Sequence, residues 1–83
     1  MTAIVLTLYV REYCCLCHTM QADLLALQSS YPFRLQILDI DDDAALEAQY
    51  QPLIPVLCAP NGEILCFYHL KLQALDAYFA QIG

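Results

Sequence analysis

The amino-acid sequence predicts an α/β fold of element order βαβαββα, with a four-stranded mixed sheet flanked by helices. Three observations carry this expectation. The apolar pattern changes at Cys14 from a continuous strand-like run to helical spacing. A second alternating run and a short helical segment follow. Near the C-terminal end, two apolar runs are separated by Pro60-Asn61-Gly62-Glu63, a hairpin signal. A helix between the first two strands makes them parallel with a right-handed crossover, and the hairpin adds an antiparallel pair.

Taken in order, residues 3–10 form a buried strand, rich in Ile, Val, Leu and Tyr and bounded by charge. Cys17, Met20, Leu24 and Leu27 then recur at three- and four-residue steps, the apolar stripe of a helix starting near Cys14. Ser29-Ser30-Tyr31-Pro32 ends it, because a residue before proline avoids the helical region. Phe33 to Ile40 alternates, with Phe33, Leu35 and Ile37 on one face. Leu38 and Ile40 suggest cover on both faces toward its end. Asp41 or Asp42 is placed to cap a short helix over 44–50, which Pro52 stops. Strands are expected at 54–59 and 64–69. Leu72, Leu75, Phe79 and Ile82 mark a closing amphipathic helix. An Asn61-Gly62 two-residue turn would set Cys58 opposite Leu65 and Leu57 opposite Cys66, placing the two sulfurs on opposite sheet faces without a disulfide.

The composition bounds the function. Eighty-three residues are expected to form a single domain spanning 1–83, near the size at which one core is only just adequate. With 60% hydrophobic and 14% charged residues, nearly every element must bury a face. A net charge of −6, with Arg11, Arg34 and Lys71 the basic residues, argues against nucleic acid and anionic membrane partners. The run Asp39 to Asp43 reads as a solvated lead into a helix, since it lacks the glycine and distal glutamate of a calcium loop. Five cysteines form no even framework, and the opening residues lack a basic signal region. A reduced, cytoplasmic monomer is the expectation.

Cys14-Cys15-Leu16-Cys17 is the chemical centre of the sequence. At a strand-to-helix junction the first cysteine of a Cys-x-x-Cys pair meets the N–H groups and positive end of the helix, where a thiolate is stabilised. Cys14 is therefore the attacking thiol. Cys17, nearly one turn on and within the buried stripe, is the resolving one. Cys15 should point outward, and His18 should be an exposed first-turn residue.

The strand–CxxC–helix opening, the βαβαββα order and Ile54-Pro55 at the third strand resemble the thioredoxin superfamily over essentially the whole chain. The short length resembles its small glutaredoxin-like branch. The resemblance implies a thioredoxin-like fold and thiol–disulfide oxidoreductase activity. It further implies a cis-proline at Pro55 facing the cysteine pair. Ile54 would then offer its N–H and C=O to a bound peptide or glutathione, as an added strand would. The expected partners are a disulfide-bearing protein or a glutathione mixed disulfide, together with an unidentified reductant. No bound cofactor is implied, with glutathione as a conceivable co-substrate. Tyr13 stands just before the motif, where thioredoxins carry tryptophan, and could supply substrate surface. Arg11 and Lys71 could each neutralise a substrate carboxylate. The stretch Tyr68-His69-Leu70-Lys71 has no counterpart of the Gly-Gly turn that glutaredoxins show after the last strand.

Three alternatives stand beside this reading. Cys14, Cys15, Cys17 and His18 include ligand types for zinc or an iron–sulfur cluster, although four ligands within five residues cannot easily surround one ion. A cluster shared between subunits through Cys14 and glutathione is the more feasible form. Cys14–His18 also matches the C-x-x-C-H haem pattern, but the downstream methionine, Met20, is too close to serve as axial ligand. A non-catalytic interaction module could keep the fold, although it would not require both Cys14 and Cys17.

Overall fold

The computed structural model describes residues 4–82, apart from the Ile82 side chain. Ala3 of the first expected strand and the Ile82 side chain of the last expected stripe lie outside the described residues. The elements run β1 (Ile4–Val10), α1 (Cys15–Leu27), β2 (Phe33–Asp39), a 3-10 turn (Ile40–Asp42), α2 (Ala44–Tyr50), β3 (Val56–Cys58), β4 (Ile64–Phe67) and α3 (Leu72–Ile82). The sheet order is β2-β1-β3-β4, with β1–β2 parallel and the other two pairings antiparallel. This is the mixed sheet the sequence predicts. The apolar β1 and β3 lie inside, and β2 and β4 form the edges.

Side-chain alternation along β1 divides the core. Leu6 and Leu8 meet Met20 and Leu24 of α1, Leu57 of β3 and Leu75 of α3 on one face. On the other face Val56 and Cys58 pack with Ile40 and Tyr50, covered by Tyr9, Leu46, Leu53 and Ile54. The α1 stripe is confirmed: Cys17, Met20 and Leu24 are essentially solvent-free, and Leu27 packs at the margin. The Phe33–Leu35–Ile37 face of β2 is buried only at its start. Ile37 is exposed, toward the far end of an edge strand. Leu72 opens α3 exposed as well, so the buried anchor of that helix begins at Leu75.

The acidic run is built into the backbone, and here the expected cap is corrected. Asp43, not Asp41 or Asp42, caps α2, its carboxylate accepting from the Ala45 N–H at 2.8 Å. Asp39 does the same for the 3-10 turn through the Asp41 N–H at 2.8 Å. The turn draws Ile40 out of the predicted strand and into the core beside Tyr50, so β2 ends one residue early.

The hairpin also differs from expectation. Its strands are shorter than 54–59 and 64–69, and its loop has three residues, Pro60 to Gly62, rather than two. The Gly62 N–H donates to Ala59 O, the Ala59 N–H donates to Glu63 O, and Gly62 takes the left-handed φ of 92°. Cys58 therefore faces Ile64, while Leu57 still faces Cys66 across an irregularity in the ladder. This bulge lets Leu65 and Cys66 both reach the α1–α3 core. Cys58 and Cys66 are free, buried, and in separate cores on opposite faces of the sheet. The face assignment thus survives the change of register.

Tyr50 links α2 to the sheet by stacking on Tyr9 with ring centroids 4.4 Å apart. Burial pushes its phenol up from the ordinary value of 10.0 to about 12, and the neighbouring Cys58 and Tyr9 add to the shift. An unfolded chain would release this proton near pH 10, whereas the folded chain holds it to about pH 12. Stability is accordingly expected to fall as pH rises through that window and to be unaffected by this group below it. Denaturant midpoints across the window should decline less steeply in Tyr50→Phe than in the parent. An identical slope would show that Tyr50 does not govern the alkaline loss.

Candidate functional site

The C-terminal end of β1 meets the N-terminal end of α1 through the turn Arg11 to Tyr13. Cys14 occupies the N-cap of α1 with extended φ and ψ of −100° and 109°. Its sulfur accepts from the Cys17 N–H at 3.2 Å, and the His18 N–H donates to the Cys14 carbonyl at 3.2 Å. The first turn carries no acidic side chain to compete for those amides. Cys14 and Cys17 are joined as a disulfide with Cα atoms 5.2 Å apart. Cys14 is half-buried, whereas Cys17 is 1% exposed. One sulfur thus belongs to the surface and the other to the core.

The remaining residues singled out in the sequence gather at the same end of the sheet, to different degrees. Val10 faces Asp39 on one side, and Tyr9 faces Val56 on the other. Continuing that ladder by one residue sets Pro55 beside Val10. The Ile54–Pro55 peptide is cis, Pro55 is buried, and Ile54 is half-buried. Among the described residues, neither main-chain polar group of Ile54 is hydrogen-bonded within the chain. Tyr13 adopts a left-handed φ of 63° and leaves its side chain 91% exposed immediately before Cys14.

Arg11 is held elsewhere. Its Nε and Nη2 donate to Asp41 Oδ1 at 3.0 and 2.9 Å, and Glu47 Oε1 lies 3.7 Å from Nη2. The hydrogen bond to Asp41 is the main reason the guanidinium's pKa is raised, with burial opposing it. A substrate carboxylate would have to displace these two partners. Arg11 instead fastens the turn before Cys14 to the acidic segment and α2.

Cys15 is exposed while Cys17, two residues on, is buried, so these two positions lie on different faces of α1. His18 is exposed. Among the described residues, no three His, Cys, Asp or Glu side chains converge as a metal site. A surface groove lined by Asp23, Ala26, Leu27, Leu70 and Leu72 begins two and a half turns down α1 from Cys14, roughly 14 Å away by helical rise.

Sequence reasoning left out one neighbour. Tyr68, directly after β4, has a φ of 65° and donates its N–H to Pro55 O at 3.0 Å. Its hydroxyl donates to the Pro52 carbonyl. The signal for it is the absence of glycine from this stretch. A left-handed position held by tyrosine cannot be read from apolar spacing.

This architecture is shared. The solution structure of protein Ne2328 from Nitrosomonas europaea is 37% identical, with a TM-score of 0.85 over 94% of this chain and 93% of that one. The X-ray structure of protein XcR50 from X. campestris is 36% identical, with a TM-score of 0.70 over 92% and 96% of the respective chains. A malarial protein, at 17% identity and a TM-score of 0.67 over 96% and 97%, shares the fold alone. No curated protein sequence matches this chain. A family model described as "Glutaredoxin-like domain (DUF836)" matches residues 5–80, taking in β1, the cysteine pair, the cis-proline segment and most of α3. The thioredoxin-like α/β fold and the family matched over nearly its whole length agree, and the chain belongs to the glutaredoxin-like domain family.

Proposed function

We propose that the protein is a thiol–disulfide oxidoreductase in which Cys14 attacks and Cys17 resolves. The observation that carries this reading is the asymmetry of the pair. The two sulfurs are within bonding reach, but only Cys14 stands at the surface on a helix N-cap. Negative charge on Cys14 is stabilised by the Cys17 N–H and by the helix end, and the thiolate is the nucleophilic form.

In the reduced protein the Cys14 thiolate attacks one sulfur of a substrate disulfide. A protein–substrate mixed disulfide forms, and the other substrate sulfur leaves as a thiolate that takes up a proton. Cys17, on losing its proton, attacks the Cys14 sulfur and releases the second substrate thiol. Two electrons and two protons have then passed to substrate, and Cys14–Cys17 is the disulfide seen here. A dithiol or two monothiols must return those electrons. Ile54 supports the docking part of this reading, because its free N–H and C=O can pair with an extended substrate main chain beside the site. Tyr13 offers an exposed ring immediately before Cys14.

The reading is tested by equilibrating the protein with mixtures of reduced and oxidised dithiothreitol and counting alkylatable thiols by mass spectrometry. A single two-electron couple confined to Cys14 and Cys17 is expected, together with catalysed reduction of a model peptide disulfide. Absence of either result overturns the proposal. Metal retained in stoichiometric amount by anaerobically purified protein, with no disulfide turnover, would favour the Cys14–Cys15–Cys17 cluster reading instead.

A further inference from the structure

Tyr68 stands in an expensive conformation for a residue that fills no core. A left-handed φ is costly for a side-chain-bearing residue relative to glycine. Tyr68 holds φ 65° with its side chain 44% exposed. The local backbone is pinned there by the His69 N–H, which donates to Phe67 O at 2.7 Å. Burial does not explain the residue, since it belongs to neither apolar cluster, and its one aromatic neighbour is Phe67, edge-on at 5.2 Å.

Its two hydrogen bonds supply the missing reason. The segment Pro52-Leu53-Ile54-Pro55 begins and ends in proline, so at both ends the carbonyl is the only main-chain group available for pairing. Tyr68 supplies a donor to each: its amide to Pro55 O and its hydroxyl to Pro52 O. Only a residue just past β4 could place its amide on Pro55, because Val56 faces Phe67 in the hairpin ladder. Only the left-handed turn there brings a long side chain back over the segment instead of out along the strand. Between the two gripped carbonyls lies Ile54, with its unpaired N–H and C=O.

We propose that Tyr68 is a positioning residue of the disulfide-exchange site, bracing the Pro52–Pro55 segment so that the Ile54 main chain is held ready for a polypeptide substrate beside Cys14. The inference rests on the redox reading above and adds to it the residue that makes the site favour an extended polypeptide over a small disulfide. A small disulfide that touches only sulfur would not need the brace.

The test compares pre-reduced parent protein with Tyr68→Phe and Tyr68→Gly in single-turnover reactions. One substrate is a peptide disulfide and the other is a small aromatic disulfide reagent. Tyr68→Phe keeps the ring and loses the Pro52 bond. Tyr68→Gly relieves the left-handed backbone, keeps the amide bond and loses the side chain. One hydrogen bond's worth of preorganisation corresponds to roughly three- to tenfold, so both variants should raise the half-saturating peptide concentration by about that factor. The limiting rate, the rate with the small reagent and the Cys14–Cys17 exchange equilibrium constant with dithiothreitol should stay within about twofold. Unchanged peptide saturation in both variants overturns the proposal. So does a parallel loss with the small reagent, which would mark general damage to the site. If the parent reduces neither substrate, the redox reading itself fails and this inference falls with it.

Discussion

Cys14→Ser is expected to remove disulfide reduction almost completely, by roughly three orders of magnitude in rate, because a serine hydroxyl at neutral pH is neither ionised nor able to form a disulfide. Cys17→Ser should behave differently. Cys14 remains at the helix N-cap with the amide of residue 17 still directed at it, so the first attack proceeds. No thiol one turn along α1 is then left to resolve the intermediate, and a mixed disulfide should accumulate. Mass spectrometry of the quenched reaction would show it as one substrate half added to the chain, removable by a monothiol such as glutathione. Cys15 cannot take over, because a disulfide between the adjacent Cys14 and Cys15 closes only a strained ring. Full activity in Cys14→Ser would overturn the assignment of the attacking thiol. Sustained turnover of Cys17→Ser when glutathione is supplied would identify a monothiol route through the same site.

Leu24→Ala should cost about 3 kcal/mol or more, the usual consequence of removing a fully enclosed leucine whose surroundings collapse only in part. Leu24 has no exposed surface and packs with Leu6, Leu8, Met20 and Leu57 under α1. For a domain of this size that corresponds to a fall in Tm of roughly 10–20 °C. The adjacent Leu25 is the control, because it is 50% exposed and points away from the sheet. Its replacement by alanine should change stability by no more than about 0.5 kcal/mol. Thermal and urea unfolding of both variants would decide the matter, and equal effects would mean that α1 is rotated from the position described. The same stripe that holds Leu24 holds Cys17, so the face that anchors the helix also hides the Cys17 sulfur.

That coincidence explains why so much of the site was legible in the sequence. The spacing of Cys17, Met20, Leu24 and Leu27 sets one face of a helix, and Cys14 lies one turn before that face begins. Local periodicity thus locates the N-cap, the buried thiol and the outward Cys15. The element order is legible for a similar reason, since strand and helix periods depend on near neighbours and proline and glycine punctuate them. The sulfurs of Cys58 and Cys66 fall on opposite faces even though the hairpin loop was read one residue short, because the bulge at Leu65 leaves Leu57 opposite Cys66.

The errors share a different physics. Asp43 rather than Asp41 or Asp42 caps α2 because the chain first takes a 3-10 turn to bury Ile40 against Tyr50, a demand of the core and not of the acidic run. Arg11 looked free to receive a substrate carboxylate, since nothing nearby in sequence suggests that parallel pairing of β1 with β2 brings Asp41 within 2.9 Å of its guanidinium. Edge placement leaves Ile37 without the cover its alternation implied.

Element order, the stripe of α1 and the deeper burial of Cys17 than of Cys14 could be read from the sequence, because all of them follow from contacts a few residues apart. Tertiary structure alone decided what surrounds that pair. Sheet pairing between distant strands engages Arg11 with acids and sets Ile54-Pro55 at the end of β1. It also brings Tyr68 over Pro52 and Pro55. Such contacts depend on ladder register and on which face each segment covers, and these emerge only when the whole core is packed.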